Sequence, residues 1–125
     1  MYKIEKIGEN VFYCKGLGNF PPSVAKRFSE EFLGIIEELE NYSVIIDTLS
    51  MDFLKLDSLE ILLDLLEKSK SRLVRSAFII SNNPPLSKEI KYLLENSYTL
   101  KRKIVENYDD AKKWVEIDEI IIQRD

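Results

Sequence analysis

The segment from Ser43 to Leu66 constrains this chain more than any other. A short apolar run ends in Asp47 and is followed by a turn-rich connection. The chain then enters a leucine-rich stretch through Asp57 and Ser58. An apolar run without alternation is typical of a covered or central strand, and leucines at helical spacing predict an amphipathic helix. The segment therefore predicts a strand–connection–helix unit.

The rest of the chain alternates strands and helices around this unit. Residues 2–7 and 11–15 predict two strands, the first of which alternates polar and apolar side chains, and residues 8–10 between them suit a hairpin turn. The further predicted elements are a loop over 16–22, a helix capped by Ser23, a second helix from Asp57 or Ser58 to about Lys70, a strand over 75–81, a helix from about Ser87, a strand over 101–105, a helix capped by Asn107 or Asp109, and a final edge strand at Ile117 and 120–122.

This order of elements predicts an α/β fold. Repeated strand–helix alternation implies a largely parallel sheet with right-handed crossovers, and the opening hairpin adds an antiparallel edge. At 125 residues the chain fits one domain. We expect a single domain over residues 1–125, with a mostly parallel mixed sheet, an N-terminal hairpin and about four helices.

Composition narrows the classes of function. The chain has no histidine, which excludes Ser-His-Asp and Cys-His catalysis, and its one cysteine, Cys14, allows neither an intrachain disulfide nor a cysteine zinc site. A net charge of -4 argues against a nucleic-acid partner, and the basic run at residues 101–103 is typical of solvated surface. No apolar run approaches the ~20 residues of a membrane helix, and the N-terminus lacks a signal-peptide pattern.

We therefore predict a cytoplasmic chain that is not an enzyme, with no catalytic residues, no metal site, no cofactor and no membrane insertion. An enzyme that uses carboxylates is an alternative to this prediction, because Asp47, Asp52 and Asp57 lie close together after the predicted strand. Asp47 instead suits local hydrogen bonds that hold the adjoining loop.

Two short segments resemble the STAS superfamily, the fold of bacterial anti-sigma factor antagonists and SpoIIAA-like proteins. They are the strand Val44–Asp47 and the helix start Asp57–Glu60. The strand Ala77–Ile80 and the closing segment Asn107–Val115 fit the same layout. The resemblance implies a STAS/SpoIIAA-like fold and a regulatory module that acts by protein–protein interaction.

The helix start also departs from the family pattern. In antagonists that a kinase switches, the phosphorylated serine and the glycine after it correspond to Leu59 and Glu60. Only Asp57 and Ser58 match the pattern. Ser58 and Asp57 are therefore candidates for phosphorylation or, alternatively, for capping the helix, and the usual phosphoserine switch is not expected.

The leucine-rich helix suggests a place for the partner. Ile61 and Leu65 lie roughly 110–150° around the helix from the centre of its leucine stripe. This apolar surface is wider than one sheet contact needs, which indicates either a deeply covered helix or a surface that contacts a partner or a second copy of the chain. The candidate partner-binding residues are Met51, Phe53, Leu54, Ile61 and Leu65.

A second function class is a binder of a small apolar ligand or lipid. Some STAS-like folds are similar in outline to lipid-carrying folds. The aromatic residues expected to line such a pocket, or otherwise to fill the core, are Phe12, Phe20, Phe28, Phe32 and Tyr92.

Overall fold

The computed structural model describes residues 1–80 and 84–115. Its strands form one five-stranded sheet in which spatial order follows chain order. The first two strands are antiparallel, and each later pair of neighbours is parallel. The predicted mixed sheet with an edge hairpin is thereby confirmed. The strands are β1 (Tyr2–Gly8), β2 (Val11–Gly18), β3 (Tyr42–Met51), β4 (Leu73–Ile79) and β5 (Arg102–Val105).

Helices cover both faces of this sheet. They are α1 (Pro22–Ile36), α2 (Leu56–Ser69), α3 (Pro84–Asn96) and α4, whose described part is residues 108–115; a 3-10 turn over Lys70–Arg72 follows α2. Neighbouring strand residues point to opposite faces, so Val44 packs with α1, α2 and α3 whereas Ile45 packs with α4. The edge strand predicted at 117 and 120–122 lies outside the described residues.

The hairpin and the strand after it agree with the sequence except in length. Asn10 closes the turn with a φ of 58°, in the left-handed region that asparagine tolerates better than most residues. The predicted loop begins later than expected, because β2 continues to Gly18 and pairs there with Met51 of β3. Met51 also packs directly on Gly16, where any larger side chain would collide with its sulfur.

Two helices begin at prolines, not at the predicted serine caps. The first helix starts at Pro22, after Pro21, so Ser23 lies inside it. The third helix starts at Pro84, before Ser87. Proline suits the first turn because its fixed φ is helical and the missing N–H has no helical partner there. Asn107 caps α4 as predicted: its Oδ1 accepts a hydrogen bond from the Asp110 backbone N–H, at 2.8 Å.

Candidate functional site

The connection from β3 to α2 exposes three large apolar side chains. Leu49, Phe53 and Leu56 are 48%, 52% and 64% exposed, respectively. Leu49 lies near the carboxyl-terminal end of β3, Phe53 lies in the connection, and Leu56 is the first residue of α2. We call these three residues the connection surface. Leu49 and Leu56 were missed from the sequence, because periodicity alone does not tell an element's exposed end from its buried middle.

The predicted partner-binding residues divide between surface and core. Phe53 is exposed as the prediction requires, and Met51 and Ile61 are half-buried. Leu54 and Leu65 are buried in the main core, so their assignment to an exposed surface was wrong. The reason is that α2 packs against α1 and α3 as well as the sheet. The alternative of a deeply covered helix therefore holds for Leu65.

Ser58 is fully buried, with 0% of its surface exposed. Its hydroxyl donates a hydrogen bond to the Phe20 carbonyl oxygen, at 2.8 Å, which ties α2 to the segment before α1. The residue at the N-cap of α2 is Lys55, and no side chain caps the helix. The prediction that Asp57 or Ser58 caps α2 was therefore wrong. The helix begins at Leu56, one or two residues before the predicted start, so Ser58 lies inside its first turn.

Asp57 lies exposed in the first turn of α2. A carboxylate at this position interacts favourably with the positive end of the helix dipole. No cluster of three metal-ligating side chains occurs within residues 1–80 and 84–115.

Asp47 belongs to a hydrogen-bonded pair on the α4 side of the sheet. The Tyr13 hydroxyl donates to Asp47 Oδ2, and the Leu49 backbone N–H donates to Asp47 Oδ1 at 2.9 Å. The predicted local hydrogen bonding of Asp47 is confirmed. Burial, followed by the hydrogen bond and the charge of Asp47, raises the pKa of Tyr13 well above its ordinary value. Both oxygens of this carboxylate therefore accept hydrogen bonds from within the fold.

A cavity of about 80 Å³ lies on the opposite side of the sheet, beneath α1 and α2. Most of its lining is apolar. Phe20, Phe28 and Phe32 border it, as the ligand-binding alternative predicted. Phe12 is buried in the same core but does not line the cavity, and Tyr92 is exposed on α3, so these two assignments to a pocket were wrong.

Four polar side chains from the elements around the end of α2 also line this cavity. Tyr42 donates its hydroxyl to the Ser69 carbonyl oxygen at 2.9 Å, and the Ser69 hydroxyl donates to the Leu65 carbonyl oxygen at 2.7 Å. Arg102 extends from β5 beneath the same helix. We call Tyr42, Ser69, Ser76 and Arg102 the polar end of the cavity.

Ser76 differs from its three neighbours in the polar end. It is 2% exposed, and its hydroxyl has no hydrogen-bond partner within the described part of the chain. Arg102 is its partner in the register between β4 and β5. The prediction that the basic run at 101–103 is solvated surface was wrong for Arg102. Burial lowers the pKa of its guanidinium.

The helices that the structure describes are too short or too polar to cross a bilayer.

No family model matches the chain, and no curated protein matches it. Solved structures do match it. An uncharacterized protein of the DUF3478 family with a SpoIIAA-like fold, from Shewanella loihica PV-4, is 19% identical; 92% of each chain is covered, with a TM-score of 0.70.

Two further solved structures extend the likeness. The anti-sigma factor antagonist SpoIIAA in its unphosphorylated form is 8% identical, with 97% of this chain and 98% of that chain covered and a TM-score of 0.65. A variant of RsbS from Moorella thermoacetica with one serine replaced by glutamate is 14% identical, with 98% and 96% covered and a TM-score of 0.63. At these identities the likeness is one of fold: this chain has the SpoIIAA-like fold that the resemblance implied.

Proposed function

We propose that this protein is a cytoplasmic, non-enzymatic regulatory module that binds a protein partner through the connection surface. The observation that carries the proposal is the exposure of Leu49, Phe53 and Leu56 within eight residues of the chain. Single exposed apolar residues are ordinary on a soluble protein, but a local group of large ones is typical of an interaction site. Covering them would gain free energy in proportion to the apolar area removed from water.

The backbone around Phe53 is held in place before any partner arrives. The Leu54 backbone N–H donates to Glu89 Oε1 on α3 at 2.8 Å, and the Leu54 side chain is buried. Ser58 anchors the start of α2 to Phe20. A fixed connection presents Phe53 and Leu56 outward without an ordering cost at binding, which favours affinity.

The structural comparisons support the kind of partner. SpoIIAA is described as an anti-sigma factor antagonist, a regulator whose target is another protein. Fold alone does not transfer a function, so the exposed apolar group remains the main support. A second copy of this chain is an equally suitable partner in chemical terms, because the three side chains that define the surface are apolar.

The test uses one substitution in the connection surface and one matched control. Phe53→Glu places a charge at the centre of the surface. Tyr98→Glu makes the same kind of change at an exposed aromatic residue in the segment entering β5, toward the opposite edge of the sheet. Affinity capture with each purified variant identifies partners from the native cell, and analytical ultracentrifugation measures self-association.

We expect Phe53→Glu to abolish a specific partner or the self-association, and Tyr98→Glu to preserve it. Retention of every partner by folded Phe53→Glu protein would contradict the proposed surface. Loss in both variants would show that the interaction is not specific to this surface, and would contradict it as well.

Binding of a small apolar ligand is a second candidate function, and the cavity is the observation that favours it. The cavity lies inside an otherwise packed core and is lined by three of the predicted aromatic residues. Native mass spectrometry of freshly purified protein tests it directly. A co-purifying small molecule would support this function, and protein that is clean and refuses every apolar probe would contradict it.

A further inference from the structure

The Ser76 hydroxyl is the one buried side-chain polar atom without a hydrogen-bond partner among the described residues. A buried polar group that is left unpaired costs about 1–3 kcal/mol, so such atoms are uncommon in folded proteins. This hydroxyl borders a cavity that has room for another molecule. A molecule with a hydrogen-bond acceptor in the cavity would remove the cost.

Arg102 supplies charge at the same place. Its guanidinium donates to the Leu66 carbonyl oxygen at 2.8 Å and to the carbonyl and hydroxyl oxygens of Ser97 at 2.8 and 3.1 Å. These partners are all neutral, and no carboxylate within the described residues forms an ion pair with it. The Glu67 carboxylate also attracts this guanidinium, without forming a close ion pair. Arg102 and Ser76 are register partners on adjacent strands, so the guanidinium supplies positive charge on the Ser76 side of the cavity.

The volume of the cavity limits the size of the ligand. It is lined by residues from Tyr2 of β1 to Arg102 of β5, yet its volume is only about 80 Å³. That is roughly half the ~150 Å³ of a cavity that admits benzene. A cavity of this size suits a molecule smaller than benzene.

We propose that the cavity binds a short-chain aliphatic monocarboxylate, with its carboxylate accepting a hydrogen bond from Ser76 beside Arg102 and its alkyl group lying among Phe28, Phe32 and Leu62. This inference rests on the second candidate function, since it names the ligand class of that cavity. It is independent of the connection surface. The carboxylate satisfies the unpaired hydroxyl and the positive field together, whereas a neutral head group satisfies only the first.

Titration with straight-chain carboxylates from formate to butanoate, and with the primary alcohols of the same lengths, tests the assignment. Methyl NMR follows Leu62 and Ile90, which line the cavity, with Ile7 on the other face of the sheet as a reference. Ser76→Ala removes the unpaired hydroxyl. Ser43→Ala is the matched control, because Ser43 is a buried strand serine that does not border the cavity.

We expect saturable shifts at Leu62 and Ile90 with a preferred chain length, and none at Ile7. The best carboxylate should bind about tenfold more tightly than its alcohol and lose about tenfold in Ser76→Ala, the worth of one charge-assisted hydrogen bond, with no loss in Ser43→Ala. Equal binding of acid and alcohol would overturn the carboxylate assignment and leave apolar ligand binding standing. No shift with either series would overturn both, with water as the partner of Ser76.

Discussion

Two regions of this protein reverse the common rule that apolar side chains are buried and polar ones exposed. The connection surface places Leu49, Phe53 and Leu56 in solvent, and the polar end of the cavity places four polar side chains in the interior. The two regions differ in whether contacts within the protein compensate for this reversal. Outside, all three side chains stay in water; inside, Tyr42, Ser69 and Arg102 have partners and only Ser76 does not.

This difference shows what each region has to gain from binding. The connection surface gains from any partner large enough to cover several side chains at once, because the hydrophobic effect scales with area and has no direction. The cavity gains mainly from one hydrogen bond to one atom, which is directional and selects a small molecule by its head group. A protein partner and a small ligand therefore do not compete for the same part of this fold.

The largest expected effect compares Phe53, an exposed residue before α2, with Leu65, a buried residue within it. Leu65→Glu should lower the free energy of unfolding by about 3–5 kcal/mol, because it buries an unpaired charge, whereas Phe53→Glu should change it by less than about 0.5 kcal/mol. Urea denaturation of both variants checks this. Equal stability of the two variants would contradict the burial of Leu65.

Tyr13 and Asp47 provide a reference for a buried polar pair that is satisfied. Tyr13→Phe leaves the Asp47 carboxylate with only the Leu49 N–H among these partners, and should cost about 1–3 kcal/mol of unfolding free energy. Denaturation at neutral pH measures the loss. A neutral result would show that the hydrogen bond contributes nothing net.

The same pair makes stability depend on alkaline pH. The pKa of Tyr13 is raised in the folded protein, so the folded state holds the proton more tightly than the unfolded chain. Its contribution is complete below the unfolded value of about 10 and is lost as pH rises beyond it. Stability should fall above pH ~10 and fall less steeply in Tyr13→Phe; burial also raises the pKa of Cys14 and Tyr42, so part of the decline should remain. Denaturation as a function of pH checks both slopes, and identical slopes would exclude Tyr13 as a contributor.

Ser58 tests whether a buried hydroxyl acts as an anchor or a switch. Ser58→Ala should lower the unfolding free energy by about 1 kcal/mol through loss of the hydrogen bond to Phe20, and Ser50→Ala, at an exposed serine of β3, should lie within about 0.5 kcal/mol of the parent. Denaturation measures both. Phosphorylation at Ser58 of the folded protein, detected by mass spectrometry, would contradict the anchoring role.

The smallest expected effect on stability is that of Ser76→Ala, because the Ser76 hydroxyl has no hydrogen-bond partner among the described residues. Ser76→Ala should leave the ligand-free protein as stable as the parent or slightly more stable, because it removes an unpaired polar group from the core. Thermal unfolding without added ligand measures this. A clear destabilisation would mean that Ser76 already has a compensating partner in the free protein, and the contrast between the two regions would weaken.

The sequence predicted the framework better than the site. The alternating residues of β1, the turn residues after it, the apolar run of β3 and the leucine spacing of α2 are local patterns, and each specified the right element. Helix starts were less predictable, since both proline and serine are common where a helix begins. The two helices begin at Pro22 and Pro84. Of the predicted partner-binding residues only Phe53 is well exposed, because a helical wheel does not show how many neighbours surround a helix.

By itself, the sequence determined the order of strands and helices, the edge hairpin and the parallel run that follows, because periodicity and turn residues act over short distances. The tertiary structure decided which apolar residues of the β3–α2 unit face water, by placing α1 and α3 on either side of α2. It also decided that Ser58 lies beneath Phe20, and that Ser76 and Arg102 line one cavity. Those pairings join residues far apart in the chain, and only parallel strand register and helix packing bring them together.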